Sequence, residues 1–278
     1  MNQITQTPLS WNKKEWYFLS VFYAREKWDD LITEVMQYYR RHTGQFCTYL
    51  FSFSKEKGEH LQVTFVSSVD DNHNYTNEIQ TGFQTFVDRC PSRSTIQFPY
   101  GKVIWCNYPN NSLAWNRFRL PFYSDQYISF HQQTMGVALK LMENDFSEDS
   151  IFSAGLYLFT KGLCCIDSKE QKSTLSQILE DVSVDFQNDI EEIKALINKI
   201  DINEVHEAIE SYRNENTSEY STELVSWLNE AKILLKLGNY KTLCIFICKI
   251  LGLTGAQQIL ILELMNSWYN KEKDENSK

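Results

Sequence analysis

The chain has 278 residues, of which 42% are hydrophobic and 23% are charged, values that are typical of a folded globular protein. The net charge of −9 disfavours a nucleic-acid binder, since such proteins neutralise phosphates with an excess of Lys and Arg. The start lacks the features of a signal peptide, and no apolar run reaches the roughly 20 residues of a membrane span. We therefore expect a cytoplasmic protein with no membrane span and no nucleic-acid partner.

The cysteines also indicate a reducing compartment. There are seven, an odd number, and several lie inside apolar runs, such as Cys164 and Cys165 or Cys244 and Cys248. Disulfide frameworks belong to short, loop-rich secreted chains, which this chain does not resemble. Cys244 and Cys248 are one helical turn apart, but a zinc site would need two further ligands nearby in sequence. We predict buried thiols, no metal and no cofactor.

The first half of the chain alternates between strand and helix patterns. We predict, in chain order, a strand at 15–23, a helix at 26–41, strands at 45–54 and 60–67, a helix at 75–89 and a strand at 102–106. This order is that of the split βαβ, ferredoxin-like fold, in which both helices lie on one face of a four-stranded antiparallel sheet. No glycine-rich phosphate loop follows any of these strands.

The second half has the periodicity of helices throughout. The predicted helices lie at about 125–143, 148–165, 171–199, 201–213, 219–236, 239–251 and 255–270. No low-complexity linker separates the halves. The sequence therefore predicts an α+β fold, with an α+β sheet half at 1–123 and a helical half at 124–278 packed on it in one compact unit.

Four segments resemble the thiopeptide-type bacteriocin biosynthesis domain. This domain is the C-terminal, glutamate-eliminating part of class I lantibiotic dehydratases, and it also occurs as a stand-alone chain. The segments are YLFSF at 49–53, GEHLQVTF at 58–65, VIWCNYP at 103–109 and the helix start FHQQT at 130–134. The helical remainder fits in length and character, so the resemblance covers most of the chain.

The resemblance implies a lyase step and two partners. A glutamylating dehydratase subunit esterifies Ser or Thr of a precursor peptide, and the elimination domain then removes the α-proton and expels glutamate. This step needs a base near the α-carbon and cations that hold the leaving carboxylate. The implied partners are therefore the precursor peptide and the dehydratase subunit, while homo-oligomerisation stays open.

The chain departs from the family at the expected arginines, which are replaced by Ser52, Gln62 and Thr64. Neutral side chains at these positions would remove most of a carboxylate clamp. Two interpretations follow: an elimination-type or related lyase step, given that some relatives are diverted to cycloaddition, or a non-catalytic subunit that binds a leader peptide or a dehydratase partner. A ferredoxin-like protein of unrelated purpose is the third alternative.

The candidate catalytic residues are two histidines. His60 begins a strand directly after a turn, and it is either a base or donor at a pocket rim or a histidine bonded to that turn. His131 is aligned with Met135 at helical spacing, and it is either catalytic or packed in a helical core.

The candidate substrate-binding residues lie on a strand and in a connection. Gln62 and Thr64 share the face of their strand that is opposite Leu61, and they line a polar cleft if that face borders the helical half. Arg117 and Arg119 lie in the link between the halves. They either grip a peptide carboxylate or are solvated residues of a connector.

Overall fold

The structure is a computed structural model, and it describes residues 9–11, 14–68, 73–93, 108–115, 125–185, 193, 200–216 and 220–276. The chain divides into two compact units, Met1–Ile128 and Ser129–Lys278. In the described part of the chain, no helix is long and apolar enough to cross a membrane.

The first unit contains an antiparallel sheet. The described strands of this sheet are β1 (Leu9–Trp11), β2 (Lys14–Phe22), β3 (Thr48–Ser54), β4 (His60–Ser68) and β5 (Ser112–Trp115). β4 pairs with the whole of β2 and also with β3, while β1 pairs with the start of β2 and β5 with its end. Apart from the added β1, the order β5-β2-β4-β3 is that of the split βαβ fold. The predicted α+β class is therefore confirmed.

The described strand that completes this fold is not one of those that the sequence predicts. The prediction placed it at 102–106, which lies outside the described residues, whereas the described strand that pairs with β2 is Ser112–Trp115. Asn111 precedes it with φ 61°, and its backbone N–H donates to the carbonyl of Phe22 over 2.7 Å. Its side-chain amide also donates to the Ser92 carbonyl over 2.9 Å. These bonds fix where the strand begins.

Two helices cover one face of the sheet. They are α1 (Trp28–Arg41), which follows a short 3-10 turn at Arg25–Lys27, and α2 (Thr76–Arg89). The Trp28 ring stacks on Phe53, with centroids 4.9 Å apart, and the rings of Tyr38 and Phe83 pack against Phe65. Alternate residues of a strand point to opposite faces of a sheet. Gln62 and its neighbours two residues away in β4 therefore lie on the face opposite the two helices.

The second unit is helical where it is described. Its helices are α3 (Asp125–Met142, which begins in the first unit), α4 (Glu148–Leu163), α5 (Ser168–Asp185), α6 (Ile202–Asn214), α7 (Thr222–Leu237), α8 (Tyr240–Leu251) and α9 (Gly255–Asn276). Side chains of Ser147, Asp201, Ser221 and Asn239 cap four of their N-termini. Most residues of α4 are buried, and the Tyr240 hydroxyl at the start of α8 donates to the Phe159 carbonyl of α4 over 2.6 Å.

Gly82 lets α2 approach α1 closely. A Cβ atom at this position would lie 2.6 Å from Cε2 of Tyr38, a ring that is buried against Phe65 and Phe83. We expect Gly82→Ala to lower the free energy of unfolding by about 1–3 kcal/mol in urea titrations. Gly136→Ala in α3 is the matched control, because its added Cβ would meet no described atom within 4 Å apart from its own stretch of helix, and it should stabilise by about 1 kcal/mol. Equal effects of the two substitutions would contradict this packing.

Candidate functional site

A row of polar side chains crosses the sheet on the face opposite α1 and α2. Ser20 of β2 and Ser52 of β3 are both paired directly with Gln62 of β4, so the three side chains lie side by side. Thr64 shares this face two residues further along β4. Their exposed fractions are 2% for Ser20, 1% for Ser52, 8% for Gln62 and 1% for Thr64. We call these four residues the polar row.

Apolar side chains frame the polar row. Phe18 and Leu50 are paired with Thr64 on its two sides, and both are at most 2% exposed. Phe22 is also buried and lies on the same face of β2, two residues after Ser20. The centroids of the Phe22 and His60 rings are 4.6 Å apart. In such surroundings a polar group costs free energy unless it is hydrogen-bonded, and a charge costs far more.

The polar row forms few bonds of its own. The Ser52 hydroxyl donates to Oε1 of Gln62 over 3.5 Å, which is long for a hydrogen bond. Nε2 of Gln62 is buried and has no acceptor among the residues that the structure describes. Within the described ranges, the side-chain amide of Gln62 is therefore not fully bonded.

His60 lies at the edge of the polar row and is fully buried. Its Nδ1 is 2.9 Å from the carbonyl oxygen of Gly58, which has φ 118° in the turn before β4. A carbonyl only accepts, so Nδ1 carries the proton and Nε2 is the unprotonated nitrogen of the neutral ring. Burial lowers the pKa of His60 to about 4, so the ring is neutral at pH 7 and only a weak base.

The structure does not bring all the residues predicted as site residues together. Gln62 and Thr64 belong to the polar row, whereas His131 is buried in α3 of the second unit, near the bond from Trp227 Nε1 to Thr134 Oγ1. Arg117 and Arg119 lie outside the described residues. Ser20 was missed by the sequence analysis because it is embedded in a strand that reads as aromatic and β-branched. Its place in the polar row follows only from its pairing with Gln62.

A buried lysine in the second unit was also not predicted as a site. Lys161 of α4 is 1% exposed, and its Nζ lies 2.7 Å from Oε2 of Glu215 and 2.8 Å from the hydroxyl of Tyr220. Tyr157 donates to the same carboxylate oxygen over 2.8 Å. The sequence signal was a lysine inside the most apolar helix. These bonds satisfy the charge and connect α4 with the segment after α6, which indicates a structural role.

The cysteines only partly follow the prediction of buried thiols. Cys244 and Cys248 of α8 are buried, and burial raises the pKa of both thiols. Cys47, Cys90 and Cys164 are instead exposed, because they lie at or beyond the ends of strands and helices. The described cysteines are free, and no three His, Cys, Asp or Glu side chains of the described residues are arranged to hold a metal ion.

Comparison with known proteins identifies a shared fold. No family model matches the chain, and no curated protein matches it. Among solved structures, the chain is similar to a pyridine synthase, TbtD, from thiomuracin biosynthesis, with a TM-score of 0.62 and 14% sequence identity. The alignment covers 92% of this chain and 98% of that one. The likeness therefore extends over nearly all of both chains.

His60 makes the stability of the protein depend on pH. Its pKa is about 4 in the folded chain and 6.5 ordinarily, so the unfolded chain takes up the proton first as the pH falls. We expect the free energy of unfolding to be unaffected by this ring above about pH 6.5, where it is neutral in both states. As the pH falls towards 4, the free energy of unfolding should decrease by about 3 kcal/mol in total. Urea titrations across this pH range measure how steeply the free energy of unfolding changes with pH. His60→Asn, whose amide can still donate to Gly58, should flatten this dependence, and an unchanged slope would contradict the assignment.

The pair of Lys161 and Glu215 should respond unequally to removal of either partner. Glu215→Gln leaves a buried ammonium without a carboxylate and should destabilise the chain by about 3 kcal/mol in urea. Lys161→Met should cost less, because the Glu215 side chain is 34% exposed and can be hydrated. If Lys161→Met proved the more damaging substitution, packing of the lysine stem would outweigh the charge.

Proposed function

We propose that this chain acts in the maturation of a ribosomally synthesised peptide, at a cycloaddition-type step that joins two dehydrated residues. The likeness to a pyridine synthase along 92% of the chain supports this class of reaction. The resemblance in the sequence supports the same setting, with a precursor peptide as substrate. A dehydratase partner would supply the dehydrated residues.

The observation that carries the proposal is the neutrality of the polar row. Glutamate elimination releases a carboxylate, which needs a cation or several donors to hold it. Ser52, Gln62 and Thr64 offer no charge, and they lie among buried aromatic side chains. A carboxylate placed there would lose its hydration without gaining a counter-charge. Neutral peptide groups suit this surface better, so we favour cycloaddition over elimination.

Cycloaddition makes modest demands on acid–base chemistry. Its new bonds form between neutral atoms, so the main contribution of a protein is to hold two parts of one peptide close together and correctly oriented. Hydrogen bonds from Gln62 and Thr64 to peptide amides would supply this orientation. His60 is neutral, so it adds no charge to this face.

A second candidate function is a non-catalytic subunit that binds a leader peptide or a dehydratase partner. The weak basicity of His60 favours it, because binding needs no proton transfer whereas elimination does. The neutral polar row is compatible with both candidates.

Deletion of the coding sequence in the producing cell separates the candidate functions by mass spectrometry of the peptide. Cycloaddition predicts that a linear, dehydrated peptide accumulates, and purified chain added to this peptide should complete the ring. Accumulation of glutamylated peptide would refute cycloaddition and establish elimination. Loss of dehydration itself would instead support a subunit that assists the dehydratase.

A conservative substitution then tests the polar row. Thr64→Val keeps the shape and removes the hydroxyl, so kcat/KM of the purified chain should fall about 3- to 10-fold for the loss of one neutral hydrogen bond. Thr85→Val is the matched control, since Thr85 is exposed on α2 and its hydroxyl donates within that helix, to the Thr81 carbonyl. Equal activity of both variants would remove Thr64 from the site.

A further inference from the structure

The side-chain amide of Gln62 has hydrogen-bonding capacity that the described protein does not use. Nε2 is buried and has no acceptor among the described residues, and Oε1 receives a long bond of 3.5 Å from Ser52. Buried amide groups are almost always bonded, and an unbonded one lowers stability. Groups that break such a rule are expected at functional sites, where a ligand supplies the missing partner.

The strands on both sides of Gln62 hold its backbone in place, and their side chains beside it are short. Gln62 lies in the middle of β4, whose backbone is bonded to β2 on one side and β3 on the other. The paired residues on both sides are serines, the shortest hydroxyl side chains. The glutamine side chain is therefore longer than its neighbours in the row, and its buried Nε2 is not bonded to either serine.

The chemistry of the polar row selects the kind of acceptor. Nε2 only donates, so a cation does not suit it. An anion would be desolvated against Phe18 and Phe22 with no positive charge in the polar row. A neutral carbonyl oxygen meets both conditions.

We infer that Gln62 donates from Nε2 to a neutral amide carbonyl of the peptide next to the residue that is modified. Gln62 thereby determines which peptide segment is held at the sheet. This inference rests on the proposed function for the identity of the peptide, but the amide site itself can be tested without it.

Binding is tested with a small neutral probe, N-acetyl-dehydroalanine N-methylamide. The chain is labelled with ¹⁵N-glutamine, and the Gln62 side-chain signal is identified by its loss in Gln62→Leu. Addition of the probe should shift this signal, whereas sodium acetate, which offers a carboxylate, should not. If this signal does not shift when the probe is added, or shifts with acetate instead, the inference is overturned.

Substitution gives a readout that a purely structural residue would not show. Gln62→Leu and Gln62→Met remove the unbonded donor at similar volume, so the urea midpoint should rise above that of the wild type. The same variants should raise KM and lower kcat/KM for the peptide about 10- to 100-fold. Gln84→Leu on α2, where Gln84 donates to Asp88, is the control that should leave KM unchanged.

The outcomes separate the inference from the proposed function. If the probe shifts Gln62 but the chain matures no peptide, the proposed function fails and the amide site stands. If peptide is matured equally well by wild type and both Gln62 variants, the function stands and the inference fails. A lower urea midpoint in both variants would likewise assign Gln62 a structural role and refute the inference.

Discussion

The pairing register of β4 is the constraint on which the rest of the first unit depends. It sets Leu61, Val63 and Phe65 against the two helices and sets His60, Gln62 and Thr64 on the opposite face. Because strand side chains alternate with a period of two, a slip by one residue would exchange the faces. The aromatic contacts of Phe65 with Tyr38 and Phe83 oppose such a slip, since it would place glutamine and threonine in the helix-facing core.

The same register places several features that lower stability on one face of the sheet. The polar row has a long internal bond, an unbonded amide and a histidine whose burial lowers its pKa, all on a face framed by phenylalanines. Each lowers stability, and the aromatic core on the helix side offsets them. Natural proteins retain local costs of this kind mainly where function requires them. The second unit shows the contrast, because buried Lys161 is satisfied by Glu215 and Tyr220.

Much of the fold, but less of the site, could be predicted from the sequence. The alternation in β4 and the helical stripe of α1 identify elements and faces, because both are local patterns. Ser20 could not be recognised, since only pairing with a residue 42 positions later places it beside Gln62. The same limit hid the partner of Lys161, and the position of β5 depends on bonds from Asn111 to distant residues. Local patterns predict which face is polar, whereas partners across the sheet depend on tertiary structure.

The fold that this chain shares with a solved structure does not depend on particular side chains. At 14% identity, a sheet and helices that superimpose on a pyridine synthase with a TM-score of 0.62 are maintained by the apolar pattern rather than by particular residues. Function resides in groups placed on such a scaffold, and it changes when those groups change. In β3 and β4 the helix-facing residues form the core, whereas Ser52, Gln62 and Thr64 lie on the other face. A face without charge suits the cycloaddition proposed for this chain better than a step that releases a carboxylate.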